Sequence, residues 1–306
     1  MTPHDPPVLD LPGVVHGPPA APLRPYDEDL CRRLLAHLGV SGGVGKPTPE
    51  NLIALQHVFL DAVPYENLEI QLGRPTSIDP VESAERIVTG RGGYCYHLNG
   101  TFATLLASLG YAVTLVPSNP KLSGRPLEPE GWGRHVVILV DFAHETWIAD
   151  VGLGDGFRDP IPLVEGRSDQ PPFTYRLEHL SGLRWFFHHD PSATLDGFEM
   201  DVRPVPLSAF EEQHRIQSTS PSSGFVQTLT VQARRADHAL VLRGCVLTRV
   251  DGNGKQATDV DSEHEWWDVV VGEFRLRLDD VDAEARAALW RRVRGAHEAW
   301  IRSGRR

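Results

Sequence analysis

Of the three cysteines in the sequence, Cys95 has the setting of a nucleophile. It follows Arg91-Gly92-Gly93-Tyr94 and opens a helical pattern through Tyr96-His97-Leu98-Asn99-Gly100. Paired glycines before a helix make a tight turn, which sets Cys95 at or near the helix N-terminus. Free backbone N–H groups and the helix dipole at that position favour a thiolate. The same N–H groups can hold a developing oxyanion. A lone cysteine is otherwise a small buried hydrophobe, so a base and a group to orient that base must be found before the thiol is assigned a role.

His135 and Asp150 are the candidates. His135 stands at the start of the apolar run Val136 to Val140, and Asp150 ends the run Trp147-Ile148-Ala149. If the two runs form a hairpin through Asp141 to Glu145, the start of one strand lies beside the end of the other. His135 and Asp150 then become neighbours despite fifteen positions of separation. Taken singly, the first is a strand-end histidine and the second a turn aspartate. Together they give Cys95 a base, His135, and an acid, Asp150, that fixes its tautomer. His97 is turned roughly 200° around the helix from Cys95 and does not compete as the base. His144, His188 and His189 have no comparable context, and no metal is expected.

The elements that must position these residues fall into four segments. Residues 1–24 are rich in Pro and small residues and read as an irregular tail or a surface strap. Residues 25–110 read as a helical bundle. One helix carries Leu30, Cys31, Leu34, Leu35 and Leu38; a second starts at the Thr48 cap with Pro49 in its first turn; a third covers Pro80 to Thr89; the fourth starts near Cys95. Residues 111–205 carry strands at Tyr111–Pro117, His135–Phe142, Thr146–Val151, Phe173–Leu177, Arg184–His188 and Phe198–Val202, spaced as in an antiparallel sheet or barrel. Residues 206–306 mix a helix at Ser208–Gln217, strands at Val226–Ala233, Ala239–Leu247 and Glu265–Val271, and a last helix capped by Asp282.

Composition narrows the function. With 41% hydrophobic and 23% charged residues, the 306-residue chain can bury an ordinary core. A net charge of −11 argues against nucleic acid as the main partner. The N-terminus lacks a basic segment followed by an apolar run, and the apolar stretches are too short to span a bilayer. Cys31, Cys95 and Cys245 show no metal-type spacing and no disulfide framework, so a reducing cytoplasm is expected.

The motifs resemble those of a known family. RGGYC followed by aromatic-x-Leu-Asn-Gly resembles the nucleophile segment of the arylamine N-acetyltransferases, a family that includes N-hydroxyarylamine O-acetyltransferases and has related amide synthases. HVVILV is similar to the family's histidine strand, and WIADVGLG to its Asp-Val-Gly-Phe-Gly segment. Val63-Pro64-Tyr65-Glu66-Asn67-Leu68 and the Ser/Pro-rich Ser218–Phe225 also match, in family order.

The resemblance implies an α+β fold: an N-terminal helical bundle, a central antiparallel β-barrel and a C-terminal α/β lid around a papain-like Cys-His-Asp site. It implies catalytic roles for Cys95, His135 and Asp150, with no permanently bound cofactor. Acetyl-CoA would donate an acetyl group to Cys95, and an arylamine, arylhydroxylamine or hydrazine would take it in a ping-pong cycle. The alternatives are an amide synthase served by an acyl carrier protein or a larger acyl thioester, and a papain- or transglutaminase-like hydrolase. Arg91 and Glu66 are expected to form an ion pair beneath the site. Gly131-Trp132-Gly133-Arg134 is either part of the acceptor pocket or a plain turn. One position departs from the family pattern: His97 stands where relatives usually carry Glu, or sometimes Gln.

Overall fold

Pro, Gly and capping residues divide the first hundred residues into helices. A computed structural model describes residues 23–304, so the irregular tail foreseen for residues 1–24 lies almost wholly outside the described residues. Helix α1 (Glu28–His37) is capped by Asp27, and α2 (Pro49–Ala62) by the Thr48 hydroxyl, which accepts from Asn51 N at 3.3 Å. The short strand β1 (Tyr65–Glu66), the single turn α3 (Leu68–Gln71) and helix α4 (Pro80–Val88) follow. Helix α5 (Cys95–Ser108) is buried from Cys95 through Leu106, which fits a sequence apolar or small around most of its circumference.

The next eight strands form one antiparallel sheet. They are β2 (Ala112–Leu122), β3 (His135–Asp141), β4 (Thr146–Ala149), β5 (Ile161–Pro162), β6 (Gly166–Gln170), β7 (Phe173–Ser181), β8 (Arg184–His188) and β9 (Leu195–Asp201). Their spatial order is β5-β4-β3-β2-β9-β8-β7-β6. The two end strands, β5 and β6, are consecutive in the chain, and the sheet is nearly closed and barrel-like. Strand β3 is covered on both faces. Val136, Ile138 and Val140 join the core around α5, whereas Val137 and Leu139 join Phe157, Tyr175, Phe187 and Phe198 in the sheet's own interior. An unbroken apolar run is the composition that two buried faces require.

Helices α6 (Glu211–Thr219) and α7 (Gly224–Gln227) lead into a second sheet of β10 (Thr230–Arg234), β11 (His238–Arg243), β12 (Val246–Asp251) and β13 (Gly254–Asp259), followed by α8 (Glu263–Asp268) and α9 (Ala283–Arg302). One edge strand of this sheet is β1, which pairs with β10 through Tyr65↔Gln232 and Glu66↔Val231; the other is β13. Asp282 caps α9 as expected, accepting from Ala285 N at 2.8 Å.

Three expected strands are corrected. Ala239–Leu247 is not one strand: the chain reverses at Gly244, whose φ of +59° suits a tight turn, and gives β11 and β12. Glu265–Val271 is helical. Ser262 caps it through Glu265 N at 3.2 Å, and helical spacing buries Trp266 and Val270 together, so burial overrides β propensity. In Val226–Ala233 the strand begins only at Thr230, because Ser223 caps α7 first. Strands β6 and β13 escaped detection because they are largely polar and exposed.

Strand β1 is pinned between β10 and the turn before Cys95. Glu66 N donates to Gly93 O at 2.8 Å, and Tyr65 bridges to Gly93. The approach is so close that a Cβ on Gly92 would lie 2.1 Å from Pro64 O. Gly92→Ala is therefore expected to cost roughly 2 kcal/mol of stability, within the usual range for overpacking a filled site. Urea denaturation measures it, and a loss below about 0.5 kcal/mol would show that the strand and the turn separate freely.

Candidate active site

The structure brings Cys95, His135 and Asp150 together. All three are buried, with exposures of 3%, 4% and 1%. Cys95 is the first residue of α5, so the turn–helix junction read from the sequence is present. His135 Nε2 lies 2.6 Å from Asp150 Oδ2. The Cys95 thiol lies close enough to the His135 ring to bear on its charge, and it reaches the Arg134 carbonyl at 3.8 Å. Because Asp150 occupies Nε2, Nδ1 is the ring nitrogen left for the thiol.

The hairpin that was inferred between the two apolar runs exists. Its ladder pairs Asp141 with Thr146 and closes at Ile138↔Ala149. Asp150 follows one residue beyond, on the face of the strand that Ile148 also uses. His135 shares the face of Val137 on β3. The two side chains therefore meet diagonally in the same layer, beside Phe198, whose ring centroid is 5.5 Å from that of His135.

Burial alone would push the His135 imidazole below its usual range. The Asp150 charge, the Asp150 hydrogen bond and the Cys95 contact outweigh it, and the pKa is raised to about 10. Asp150 thus favours the protonated form of the His135 ring.

Asp150 is itself held by residues that sequence reasoning did not assign to the site. Asn99, one helical turn after Cys95, donates to Asp150 Oδ1 at 2.9 Å and to Val136 O at 2.7 Å, while its own Oδ1 accepts from Val151 N at 2.8 Å. Gly152 N adds a second bond to Asp150 Oδ1 at 2.8 Å. A Cβ on Gly152 would sit 2.8 Å from Cys95 Cα, so only glycine lets this loop lie against the start of α5. Gln56 on α2 accepts from Asp150 N at 3.1 Å. The i, i+4 spacing of Cys95 and Asn99 was a usable signal, because it puts both on one helix face. So was Gln56, an amide on the apolar face made by Leu52, Leu55 and Phe59.

One other expectation comes out differently. Arg91 does not pair with Glu66. It pairs with Glu69 and Asp280, reaching one oxygen of Asp280 at 3.0 Å. Glu66, at 2% exposure, instead accepts from the backbone N–H groups of Gly92, at 3.2 Å, and Leu68. Backbone donors already fill the space under the turn, so the guanidinium reaches outward to carboxylates it can meet. His97 lies against the turn, with Nδ1 3.4 Å from Tyr94 N and Nε2 3.3 Å from Thr76 Oγ1. Burial, assisted by Arg86, holds its pKa well below the usual range. The 131–134 segment is a turn that presents carbonyls to the site: Gly133 O accepts from Tyr96 OH at 2.7 Å, and Arg134 O from Gln217 Nε2 at 3.1 Å. His188 pairs with Glu178, and no group of three ligand-type side chains able to hold a metal converges among the described residues. No helix among the described residues is long and apolar enough to cross a membrane.

An acid-held imidazole thus lies near a thiol at a helix start, carried on helices and a barrel-like sheet. Residues 48–283 match the family model described as N-acetyltransferase, and the chain belongs to the arylamine N-acetyltransferase family. The arylamine N-acetyltransferase of Mycolicibacterium smegmatis is 30% identical over 267 residues, covering 80% of this chain and 93% of that protein. The arylamine N-acetyltransferase / N-hydroxyarylamine O-acetyltransferase of Salmonella typhimurium is 34% identical over 166 residues, which span 52% of this chain and 58% of that relative. Among solved structures, the Nocardia farcinica arylamine N-acetyltransferase superposes with a TM-score of 0.78 at 28% identity, covering 89% of this chain and 98% of that one. The Mycobacterium marinum enzyme, solved in complex with CoA, shares the fold with a TM-score of 0.78 at 24% identity, covering 86% of this chain and 98% of its own.

The raised pKa has a stability consequence with a definite sign. His135 binds its proton more tightly when folded than when unfolded, where its pKa is about 6.5. Its contribution is therefore complete below about pH 6.5 and is lost as pH rises towards the folded value of about 10. The difference in unfolding free energy between wild type and His135→Gln should shrink across that window in urea titrations. A difference that stays constant would show that the folded and unfolded states hold this proton equally.

Proposed function

We propose that this chain moves an acetyl group from acetyl-CoA to an arylamine, arylhydroxylamine or hydrazine through a thioester on Cys95. The observation that carries the reading is the buried His135 ring, held by Asp150 at 2.6 Å, near Cys95 at the first position of α5. A cation beside a thiol stabilises the thiolate, which is the reactive nucleophile. Family membership supports acyl transfer as the reaction, and the CoA bound in the Mycobacterium marinum relative supports an acyl-CoA donor.

In the first half-reaction the Cys95 thiolate adds to the carbonyl carbon of the acetyl thioester. The backbone N–H groups that open α5 stabilise the oxyanion. The carbon–sulfur bond to CoA breaks, and His135 gives the leaving thiolate its proton. In the second half the amine nitrogen attacks the acetyl-Cys95 carbonyl and passes a proton to His135. The bond to Cys95 breaks, and the thiolate–imidazolium pair is restored. Asp150 exchanges no proton; it holds the ring and stabilises its charged form. A thioester donor is already activated, so no stronger acid is needed for the leaving group.

Two measurements test this. Incubation with acetyl-CoA alone should leave one acetyl group on Cys95, seen by peptide mass spectrometry without any amine present. Failure to acetylate, with capture of a larger or carrier-bound acyl thioester instead, would move the assignment to an amide synthase. Cys95→Ser should lose far more than tenfold in transfer, because a serine hydroxyl is a much weaker nucleophile at neutral pH. Retention of a tenth of the activity, about one decade of loss, would sink the thiol mechanism.

A further inference from the structure

Helix α2 lies against both ends of the loop that carries Asp150. At the far end, Asp61 makes a two-point ion pair with Arg158, at 2.8 and 2.5 Å, and His57 pairs with Asp159. Gln56 reaches both ends. Its Nε2 donates to Phe157 O at 3.3 Å and to Arg158 O at 3.1 Å, while its Oε1 accepts from Asp150 N at 3.1 Å. The side chain is completely buried, at 0% exposure. A primary amide on an apolar helix face is costly unless its hydrogen bonds are made. Here three are made, and all go to one loop. That loop contains Gly152, Gly154 and Gly156, and Gly154 has a φ of +77°, so its backbone is intrinsically permissive and depends on outside contacts for a fixed path.

We infer that Gln56 is a positioning residue for Asp150, acting on its main chain while Asn99 and Gly152 act on its carboxylate. The inference rests on the reading that Asp150 orients His135. The geometry divides the work. Asn99 and Gly152 N fix Oδ1 and leave Oδ2 for the imidazole. Those bonds aim the carboxylate only if the backbone behind it stays in place, and Gln56 is the side chain bonded to that backbone N–H. Releasing Asp150 N would let the end of β4 drift, and a shift well under 1 Å matters to a contact as short as that between Asp150 and His135.

The test compares wild type with Gln56→Met, Asp150→Asn and the double variant, in the full-length protein. Gln56→Met keeps chain length and removes all three hydrogen bonds. The readout is the pH dependence of iodoacetamide alkylation at Cys95, followed by peptide mass spectrometry, with circular dichroism to confirm folding. Each single variant should slow alkylation at pH 7 by about tenfold and move its pH profile to higher pH. The double variant should react no more slowly than Asp150→Asn, because both changes interrupt one chain of contacts. A folded Gln56→Met that loses thermal stability but keeps the wild-type profile would overturn the inference, as would losses that multiply in the double variant. An unchanged profile in Asp150→Asn would overturn both this inference and the site reading beneath it. If Gln56→Met does not fold, Gln56→Asn keeps the amide but withdraws it by one methylene. It should show the same displaced profile, and a wild-type profile there would count against the role.

Discussion

A carboxylate and an imidazolium sealed from water persist only if their remaining lone pairs and protons are satisfied. The buried His135–Asp150 pair, held at 2.6 Å, has the same need, and much of the surrounding architecture supplies its partners. Removing two charges from water costs several kcal/mol per ion even after relaxation, and the Coulomb attraction offsets this only with good geometry and further hydrogen bonds. Asp150 has them: His135 on one oxygen, Asn99 and Gly152 N on the other. The donors come from β3, from α5 and from the loop after β4. The ion pair therefore exists only where the helical segment and the barrel-like sheet are already docked. Docking in turn needs β3 to be apolar on both faces, one for α5 and one for the sheet interior.

The C-terminal sheet is tied to the same point. Strand β1 hydrogen-bonds to the glycine turn on one side and to β10 on the other, so the position of Cys95 along the chain is linked to the second sheet by main-chain bonds. Helix α6 adds side-chain bonds: His214 bridges Tyr94 OH, at 2.5 Å, and Thr76 O, at 2.8 Å, while Gln217 reaches Tyr96 OH and Arg134 O. Thr76 O can only accept, so His214 Nε2 carries the proton and Nδ1 accepts from Tyr94. These bonds cross from the last third of the chain to the residues on either side of Cys95.

The convergence of Cys95, His135 and Asp150 was legible in the sequence because each stands at a boundary between elements. Cys95 begins a helix, His135 begins a strand, and Asp150 follows one, and such boundaries are marked by glycine turns and by changes of period. The hairpin between β3 and β4 was legible for the same reason. What remained hidden depends on contacts between distant segments. Arg91 and Glu66 lie close in the sequence motifs, yet Arg91 chooses Asp280, nearly two hundred positions away, and Glu66 chooses backbone donors. Gln56 stands out as an amide on an apolar helix face, but no local pattern names its partner, Asp150, 94 positions away. The helical fate of Glu265–Val271 was hidden too, because a short run rich in Trp and Val satisfies strand and helix templates alike, and only the cavity awaiting Trp266 decides between them.

His97 shows how a departure from the family pattern can keep a local function while changing its charge. It is the third residue of α5, the place from which a Glu or Gln side chain reaches back to the N-cap backbone N–H in a capping box. The His97 Nδ1 lone pair does the same for Tyr94 N, at 3.4 Å. A lone pair is available only on neutral imidazole, and burial together with Arg86 holds the ring neutral. The side chain thus closes the turn without adding an anion to the first turn of the helix, where a glutamate would stand two residues from Cys95. A neutral cap there leaves the surroundings of Cys95 to the His135 ring and to the helix dipole.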